Sequence, residues 1–575
     1  MSEVQIFWFW FFVLNFLLFL PGFLFDWKAS SLIPIREFLK QKSLKQKINF
    51  FFVRENQDPF KFNGDIISLA AVLLLFGSII PDTLQHLLMG SLVALSFLYL
   101  GYYYAMVNIY QTVPVLYNDL QFAKVGWNIA TQRFPALFIL GIVALGLVMG
   151  LLFWAGVKLS QSLDAVKYPS FTYFFLFIVG VYNIYRGYRQ KYVIIHKKLL
   201  VAPCIHLLKN LKVSWESRAK MKAWEPEFFN RLNLYQNAEL KQRPNIIIAS
   251  LESYGALIHE LPELKDYFQA KLSEEYKLME EKGWKAMSSL SKAPRISGGS
   301  WLSHASFLYG IFINEFALYE SLMNNPVFEN YQSLLHVLRE KGYTNYYLNP
   351  LGGYDMSRIN WDQIQRMFAS DHIINDEVIG YTGQRTGSMG DSAPDQYAFR
   401  YAFEEIGKEA QEPYSLFFIS NNSHYSWLSP ERIEEDWKSL DNPEKSYKQT
   451  DVSSTNLLAK YKTAINYQLD IFFQFLKEEN PDDTILVLFG DHQPPAITTK
   501  TSSFHAPIHI IAKDPKLLEG FTDYGFKEGL IHDDPFEGIA HQSFFSLFMR
   551  ELLNQYGHDA QHIPDFLPEG HQILG

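Results

Sequence analysis

Asn245-Ile246-Ile247-Ile248-Ala249-Ser250-Leu251-Glu252-Ser253 follows Arg243-Pro244, and its reading decides the rest of the chain. Proline breaks a helix and favours an extended approach, and a short unbroken run of β-branched residues suits a strand covered on both faces. Working outward, similar runs stand at 344–348, 415–420, 484–489 and 508–512, with helical stretches at 262–282, 327–341, 395–409 and 455–478 between them. Such alternation predicts an α/β domain on a mostly parallel sheet. In such sheets ligands collect beyond the carboxyl ends of the strands.

The residues delivered to those ends are the kind that metal chemistry uses. The first strand runs into Glu252, the run at 415–420 into Asn421-Asn422-Ser423-His424, and the run at 484–489 into Gly490-Asp491-His492. Carboxylate oxygens and imidazole nitrogen suit a divalent ion such as Zn²⁺ or Mn²⁺. A further stretch, Arg295-Ile-Ser-Gly-Gly-Ser-Trp-Leu-Ser-His304, reads as a tight glycine turn that opens a helix. A hydroxyl at Ser300 then faces the positive end of the helix dipole and unpaired N–H groups, a place to meet a phosphate. If Ser300 shares the rim, it completes a metal shell of Glu252, Ser300, Asp491 and His492, and the ion takes up the charge as the hydroxyl becomes a nucleophile. Singly, each has a plainer reading: Glu252 as a helix cap, Asp491-His492 as a solvated turn, His424 as a surface histidine, Ser300 as an N-cap. The coincidence at three strand ends is what favours a site.

The N-terminal third has a different composition. Apolar residues make up 48% of the chain and aromatics 16%, and both crowd this region. Residues 4–25 form an uncharged run long enough to cross a bilayer, without the basic start and small-residue cleavage site of a signal peptide, so it reads as a retained anchor. Runs at 65–81, 86–109, 134–157 and 169–187 bring the expected crossings to about five, although Pro81 interrupts the second and the fifth is short. The expected organisation is a transmembrane helical bundle at 1–187, a basic amphipathic connector at 188–240 and a catalytic domain at 241–575. The net charge of -9 argues against nucleic acid. The single cysteine, Cys204, excludes an intramolecular disulfide and a multi-cysteine zinc site.

The stretches 245–253, Ser297-Gly-Gly-Ser300, Ser420-Asn-Asn-Ser-His424 and Leu488-Phe-Gly-Asp-His492 resemble the four motifs of the sulfatase-like phosphoglycerol transferases of the lipoteichoic-acid synthase type, in the alkaline phosphatase superfamily. The resemblance covers most of the chain, including a five-helix anchor. It implies an alkaline-phosphatase-like domain in which Glu252, Asp491 and His492 hold one divalent metal, Mn²⁺ favoured over Zn²⁺ or Mg²⁺. It makes Ser300 the nucleophile that becomes covalently loaded. It implies that His424 contacts the transferred headgroup or protonates the leaving group. The segment Tyr354-Asp-Met-Ser-Arg358-Ile-Asn-Trp361 is similar to the stretch that grips glycerol phosphate, which implies Arg358 and Trp361 as substrate contacts. His505, ahead of the fifth run, is a further rim candidate. The family usually has threonine where Ser300 stands, followed by Ser and Glu, whereas Trp301, Leu302 and His304 follow here. No Cys/Ser-x-Pro-x-Arg signature surrounds a candidate nucleophile, since Ser291-Lys-Ala-Pro-Arg295 has its proline one place late. That argues against a formylglycine sulfatase.

The resemblance implies transfer of phosphoglycerol from a membrane phospholipid to a cell-envelope glycan or glycolipid, by a multi-pass protein of the bacterial cytoplasmic (inner) membrane with its catalytic domain outside. A literal count of Lys and Arg at 26–64 and 186–222 points the other way. Long domains translocate largely regardless of charge, so the resemblance prevails. Phosphoethanolamine transfer, phosphate- or sulfate-ester hydrolysis, and a membrane scaffold or sensor with a degenerate domain stand as alternatives.

Overall fold

The computed structural model describes residues 2–25, 63–109, 114–120, 134–166, 171–189, 202–222, 234–323, 331–352, 360–387, 392–409, 413–451, 456–479, 481–498, 502–531, 538–558 and 562–571, with Trp127, Thr131, Leu200 and Ser454. The chain forms two compact units, Met1–Lys222 and Ala223–Gly575. The division falls inside the stretch read as a connector.

The first unit is helical. Glu3–Phe25, Gly64–Phe76, Asp82–Ile109, Pro135–Gln161 and Phe171–Arg189 correspond to the five apolar runs. Three of the described helices are long and apolar enough to cross a membrane: Val4–Leu24, Asp82–Val107 and Pro135–Gln161. The run at 65–81 yields a helix of only 13 residues, Gly64–Phe76, ending short of Pro81. On Pro135–Gln161 the apolar side chains face outward, with Leu137, Leu147 and Leu151 each about two-thirds exposed. That inversion of the usual pattern suits a hydrocarbon surround. A further helix, Pro203–Lys222, starts where Asp65 Oδ2 accepts the Cys204 N–H at 2.7 Å, so a carboxylate from a distant helix caps it.

The second unit is a three-layer α/β/α domain. Its strands are β1 Asn245–Leu251, β2 Lys285–Lys292, β3 Thr344–Asn349, β4 His372–Asn375, β5 Tyr414–Ile419, β6 Thr484–Gly490, β7 His505–Ala512, β8 Lys527–Glu528 and β9 Ile539–Ala540. They form one sheet in the order β4-β3-β5-β1-β6-β7-β2-β8, with β9 paired to β2. β4, β3, β5, β1 and β6 run parallel. The sheet turns antiparallel from β6 to β7 and from β7 to β2, so it is mixed rather than uniformly parallel. β2 escaped the sequence reading because Lys285-Ala-Met-Ser-Ser-Leu-Ser-Lys292 lacks an apolar run, yet its interior is buried with serines paired to neighbouring groups. The helices Pro262–Glu280, Asp395–Glu409 and Leu457–Glu478 pack through Phe268, Phe399, Phe472 and Phe475 into the core on one face. On the other, Phe307 stacks between Phe489 of β6 and Phe544, at 3.8 and 3.9 Å between ring centroids. The helix expected at 327–341 is seen as Leu334–Glu340, capped by Ser333, whose hydroxyl accepts the His336 N–H.

Candidate active site

Register builds the site. β1 and β6 pair in parallel up to Leu251 opposite Gly490, so the next residues, Glu252 and Asp491, emerge side by side at the spacing of neighbouring strands, about 4.8 Å. Gly490 is required there. A Cβ on it would lie 1.8 Å from the Tyr254 carbonyl oxygen.

Glu252, Asp491 and His492 each present a ligand atom, all within 4.8 Å of one another, and all three side chains are buried. Ser300 joins them: its Oγ donates to Glu252 Oε2 at 2.8 Å and lies 3.2 Å from His492 Nε2. It is the first residue of the helix Ser300–Tyr309, aimed there by Gly298 and Gly299, both in the left-handed region at φ 66 and 77. Those angles are comfortable only for glycine, which explains the paired glycines before the hydroxyl.

The donor set fits a divalent cation. His492 Nδ1 sits 2.9 Å from the Gln493 carbonyl oxygen, which only accepts, so the proton belongs on Nδ1 and the Nε2 lone pair faces the cluster. Asp491 Oδ1 accepts the Ser253 N–H at 2.8 Å, while its buried Oδ2 has no hydrogen-bond partner among the described residues. A buried carboxylate oxygen without a donor is costly unless a cation meets it. Burial pushes the Asp491 carboxyl well above the usual carboxylate range, and the charge of Glu252 adds to the push. Burial acts on Glu252 in the same direction, but the nearby His424 and His492 rings and the Ser300 hydroxyl outweigh it and hold that carboxyl low. Two carboxylates this close share one proton unless a cation stands between them.

The remaining candidates separate. His424 lies on the loop after β5, exposed, with Nδ1 2.7 Å from the Tyr425 carbonyl oxygen. His505 is the first residue of β7 rather than a residue before it, and because β7 runs antiparallel to β6 this brings it to the same rim. Its carbonyl accepts the Ala256 N–H, just beyond Glu252. Trp361 opens the short helix Trp361–Met367, half-buried, with no side-chain hydrogen bond or ring contact among the described residues. Arg358 lies outside the described residues.

Several supporting residues escaped the sequence reading. Ser253 sits in the left-handed region at φ 59; its hydroxyl donates to Glu252 Oε1 and its N–H to Asp491, so one strained residue steadies two carboxylates. Arg295, nearly buried, runs alongside Gly299, and its charge helps depress the His492 ring, after burial. Serine beside a carboxylate is common in turns, so only the doubled Ser-Leu-Glu-Ser pattern offered a signal.

Residues 291–547 match the family model described as Sulfatase, so the expected sulfatase-like domain is present. No curated protein sequence matches the chain. Among solved structures, the chain is similar to the lipooligosaccharide phosphoethanolamine transferase EptA from Neisseria meningitidis. The match is at 13% identity, over 95% of this chain and 94% of that one, with a TM-score of 0.46. It is also similar to the lipoteichoic acid synthase LtaP from Listeria monocytogenes, at 16% identity over 60% and 80% of the two chains, TM-score 0.36. The phosphoglycerol transferase GacH from Streptococcus pyogenes, in complex with sn-glycerol-1-phosphate, follows at 14% identity over 60% and 90%, TM-score 0.33.

Proposed function

We propose that this chain is a membrane-bound, metal-dependent transferase that moves phosphoglycerol from a glycerophospholipid to a cell-envelope glycan or glycolipid through a covalent Ser300 intermediate. The observation that carries the reading is the hydrogen bonding of Ser300 Oγ within the buried Glu252, Asp491 and His492 cluster. A hydroxyl against two carboxylates and an imidazole at a helix N-terminus supports the reading of Ser300 as a nucleophile that meets a phosphate there.

Glu252, Asp491, His492 and Ser300 would hold the ion, for which Mn²⁺ is our first choice and Zn²⁺ or Mg²⁺ suit the same oxygen and nitrogen donors. Bound there, it supplies Lewis-acid polarisation and offsets charge on the phosphoryl oxygens. Ser300 Oγ attacks phosphorus, the bond from phosphorus to the diacylglycerol oxygen breaks, and phosphoglycerol remains esterified to Ser300. Glu252 Oε2, which already accepts the Ser300 hydroxyl at 2.8 Å, is the acceptor within reach of the serine proton. The departing alkoxide needs a proton, and His424, exposed at the rim, is positioned to donate it. An acceptor hydroxyl then attacks the same phosphorus, its proton passing to the His424 ring left neutral by the first step, and Ser300 leaves and recovers its own proton from Glu252. His505 at the rim, with Arg358 and Trp361, completes the proposed headgroup contacts.

We place the catalytic unit on the outer side of a bacterial cytoplasmic membrane, behind a multi-pass anchor, because the donor lipid and the acceptor glycan meet there. A reporter fused after residue 230 and active only in the cytoplasm would reverse that orientation.

The test is to incubate the full-length chain in detergent with phosphatidylglycerol or phosphatidylethanolamine and Mn²⁺, then weigh the peptide containing Ser300. A phosphoglycerol adduct is expected, absent in Ser300→Ala. A phosphoethanolamine adduct would reassign the donor. No adduct with either lipid, in a preparation that retains its metal and releases diacylglycerol, would leave hydrolysis instead.

A further inference from the structure

Glu252 is gripped from a distant part of the chain. Its N–H donates to Ser420 Oγ at 2.9 Å and its carbonyl accepts from Ser423 Oγ at 2.6 Å, so the loop after β5 holds both sides of its backbone. That loop is pinned in turn by Asp395, which is completely buried at the start of the helix Asp395–Glu409. The Asp395 carboxylate accepts the Asn421 N–H at 2.9 Å and the Asn422 N–H at 2.7 Å, and Gln468 Nε2 donates to it as well. Asn422 Oδ1 returns a bond by accepting the Asp395 N–H at 2.9 Å.

This is more than a helix cap requires. The acceptor atoms point at the backbone of the loop, and charge-assisted bonds to a carboxylate are roughly twice as strong as neutral ones. Among the described residues Asp395 makes no hydrogen bond to Glu252, Ser300, Asp491 or His492; its hydrogen bonds reach the cluster through the loop, and its charge and that of Glu252 also repel each other directly.

We propose that Asp395 is a positioning residue for Glu252: its carboxylate fixes the 420–424 loop, and the hydroxyls of Ser420 and Ser423 then fix the backbone from which the Glu252 carboxylate is aimed. The inference rests on the reading of Glu252 as a metal ligand. Groups that orient a ligand from behind are worth about 10- to 100-fold in metal affinity.

The experiment titrates full-length protein in detergent with Mn²⁺ by calorimetry and follows its thermal unfolding in EDTA. Asp395→Asn turns one acceptor oxygen into an amine facing N–H donors, and the Mn²⁺ Kd is expected to rise about 10-fold or more. The Ser420→Ala/Ser423→Ala pair should lose a similar factor. Adding Asp395→Asn to that pair should lower Tm further without raising Kd again, because residues acting through one route are non-additive. Asp395→Glu keeps the charge for folding but displaces it by a methylene, and an intermediate rise in Kd is expected. A lowered Tm with unchanged Kd in both Asp395 variants would reduce the residue to a structural role and overturn the proposal. So would multiplicative losses in the triple variant. A wild-type chain that binds neither Mn²⁺ nor Zn²⁺ would instead remove the metal reading of Glu252, and this inference with it.

Discussion

Gly490→Ala is the most demanding test of how the two carboxylates come together. The added Cβ would sit 1.8 Å from the Tyr254 carbonyl oxygen, 2.8 Å from its carbon and 3.0 Å from Ala506 Cβ. Two of those atoms are backbone, so no rotamer change relieves the contact, and the end of β6 must move away from the turn after β1. Overpacking of this kind costs about 1–3 kcal/mol. The same movement pulls Asp491 from the Ser253 N–H, a charge-assisted bond now 2.8 Å long, for about 1.5–3 kcal/mol more. A combined loss of about 2.5–6 kcal/mol, spread over a unit of about 350 residues at roughly 2.1 cal/mol/K each, lowers Tm by about 3–8 °C. Because Asp491 and His492 follow directly, Mn²⁺ affinity should fall about 10-fold or more. Gly407→Ala is the matched control: a Cβ there meets nothing within 4 Å, on an exposed part of the helix Asp395–Glu409. It should leave Kd unchanged and stabilise by up to about 1 kcal/mol. Scanning calorimetry and Mn²⁺ titration of the two variants decide the matter. If Gly490→Ala matches Gly407→Ala in both Tm and Kd, the account of the site as a product of backbone register is wrong.

Other outcomes follow from the same geometry. Ser300→Ala should reduce headgroup transfer by about 10⁴-fold or more, as removal of a serine nucleophile does elsewhere, while Mn²⁺ still binds through the other three ligands; transfer at the wild-type rate would remove the nucleophile assignment. Mn²⁺ at 100 times its Kd should stabilise the chain by about 2.7 kcal/mol, and Glu252→Gln should abolish most of that gain in a thermal shift assay. Stability should also fall on acidification in EDTA. His304 and His541 are buried and held neutral, their rings pushed down to about 3 by burial. The unfolded chain therefore binds more protons below about pH 6.5, and each histidine costs about 2 kcal/mol between pH 7 and 5. Asp395, pushed up to about 6 by burial, opposes this, since the folded state takes up its proton in the same window and regains about 1 kcal/mol. His336 and His571, their rings pushed down to about 4 by burial, add to the loss, so denaturant unfolding at the two pH values should show a net loss of stability, and a flat profile would contradict the burial of those rings. In the first unit, Asp65→Ala strips the cap from Pro203–Lys222 and should destabilise the full-length chain in detergent by about 1–2 kcal/mol.

Much of this was legible in the chain itself because the signals are local. A short apolar run must be covered on both faces, so β1, β3, β5, β6 and β7 were predictable to within a few residues at each end. The Gly298-Gly299-Ser300 turn was readable because only glycine accepts consecutive left-handed angles cheaply. Apolar runs in the first third announced helices, but not that the second would stop at Phe76, short of a full crossing. β2 was not legible because its buried serines carry no hydrophobic pattern and are satisfied by His509 and His541, more than 200 residues away.

Sequence by itself determined which residue types end the strands: a carboxylate, an Asp-His pair, a histidine and a hydroxyl after two glycines, all chemically apt for a cation and a phosphate. Tertiary structure alone decided that Leu251 stands opposite Gly490 and that Ser300 turns toward Glu252 rather than away. It also decided that Asp395 and the 420–424 loop brace the cluster from behind. The physical reason is that register and long-range hydrogen bonds are properties of pairs of segments far apart in the chain, whereas strand, turn and helix signals are written within a few neighbouring residues.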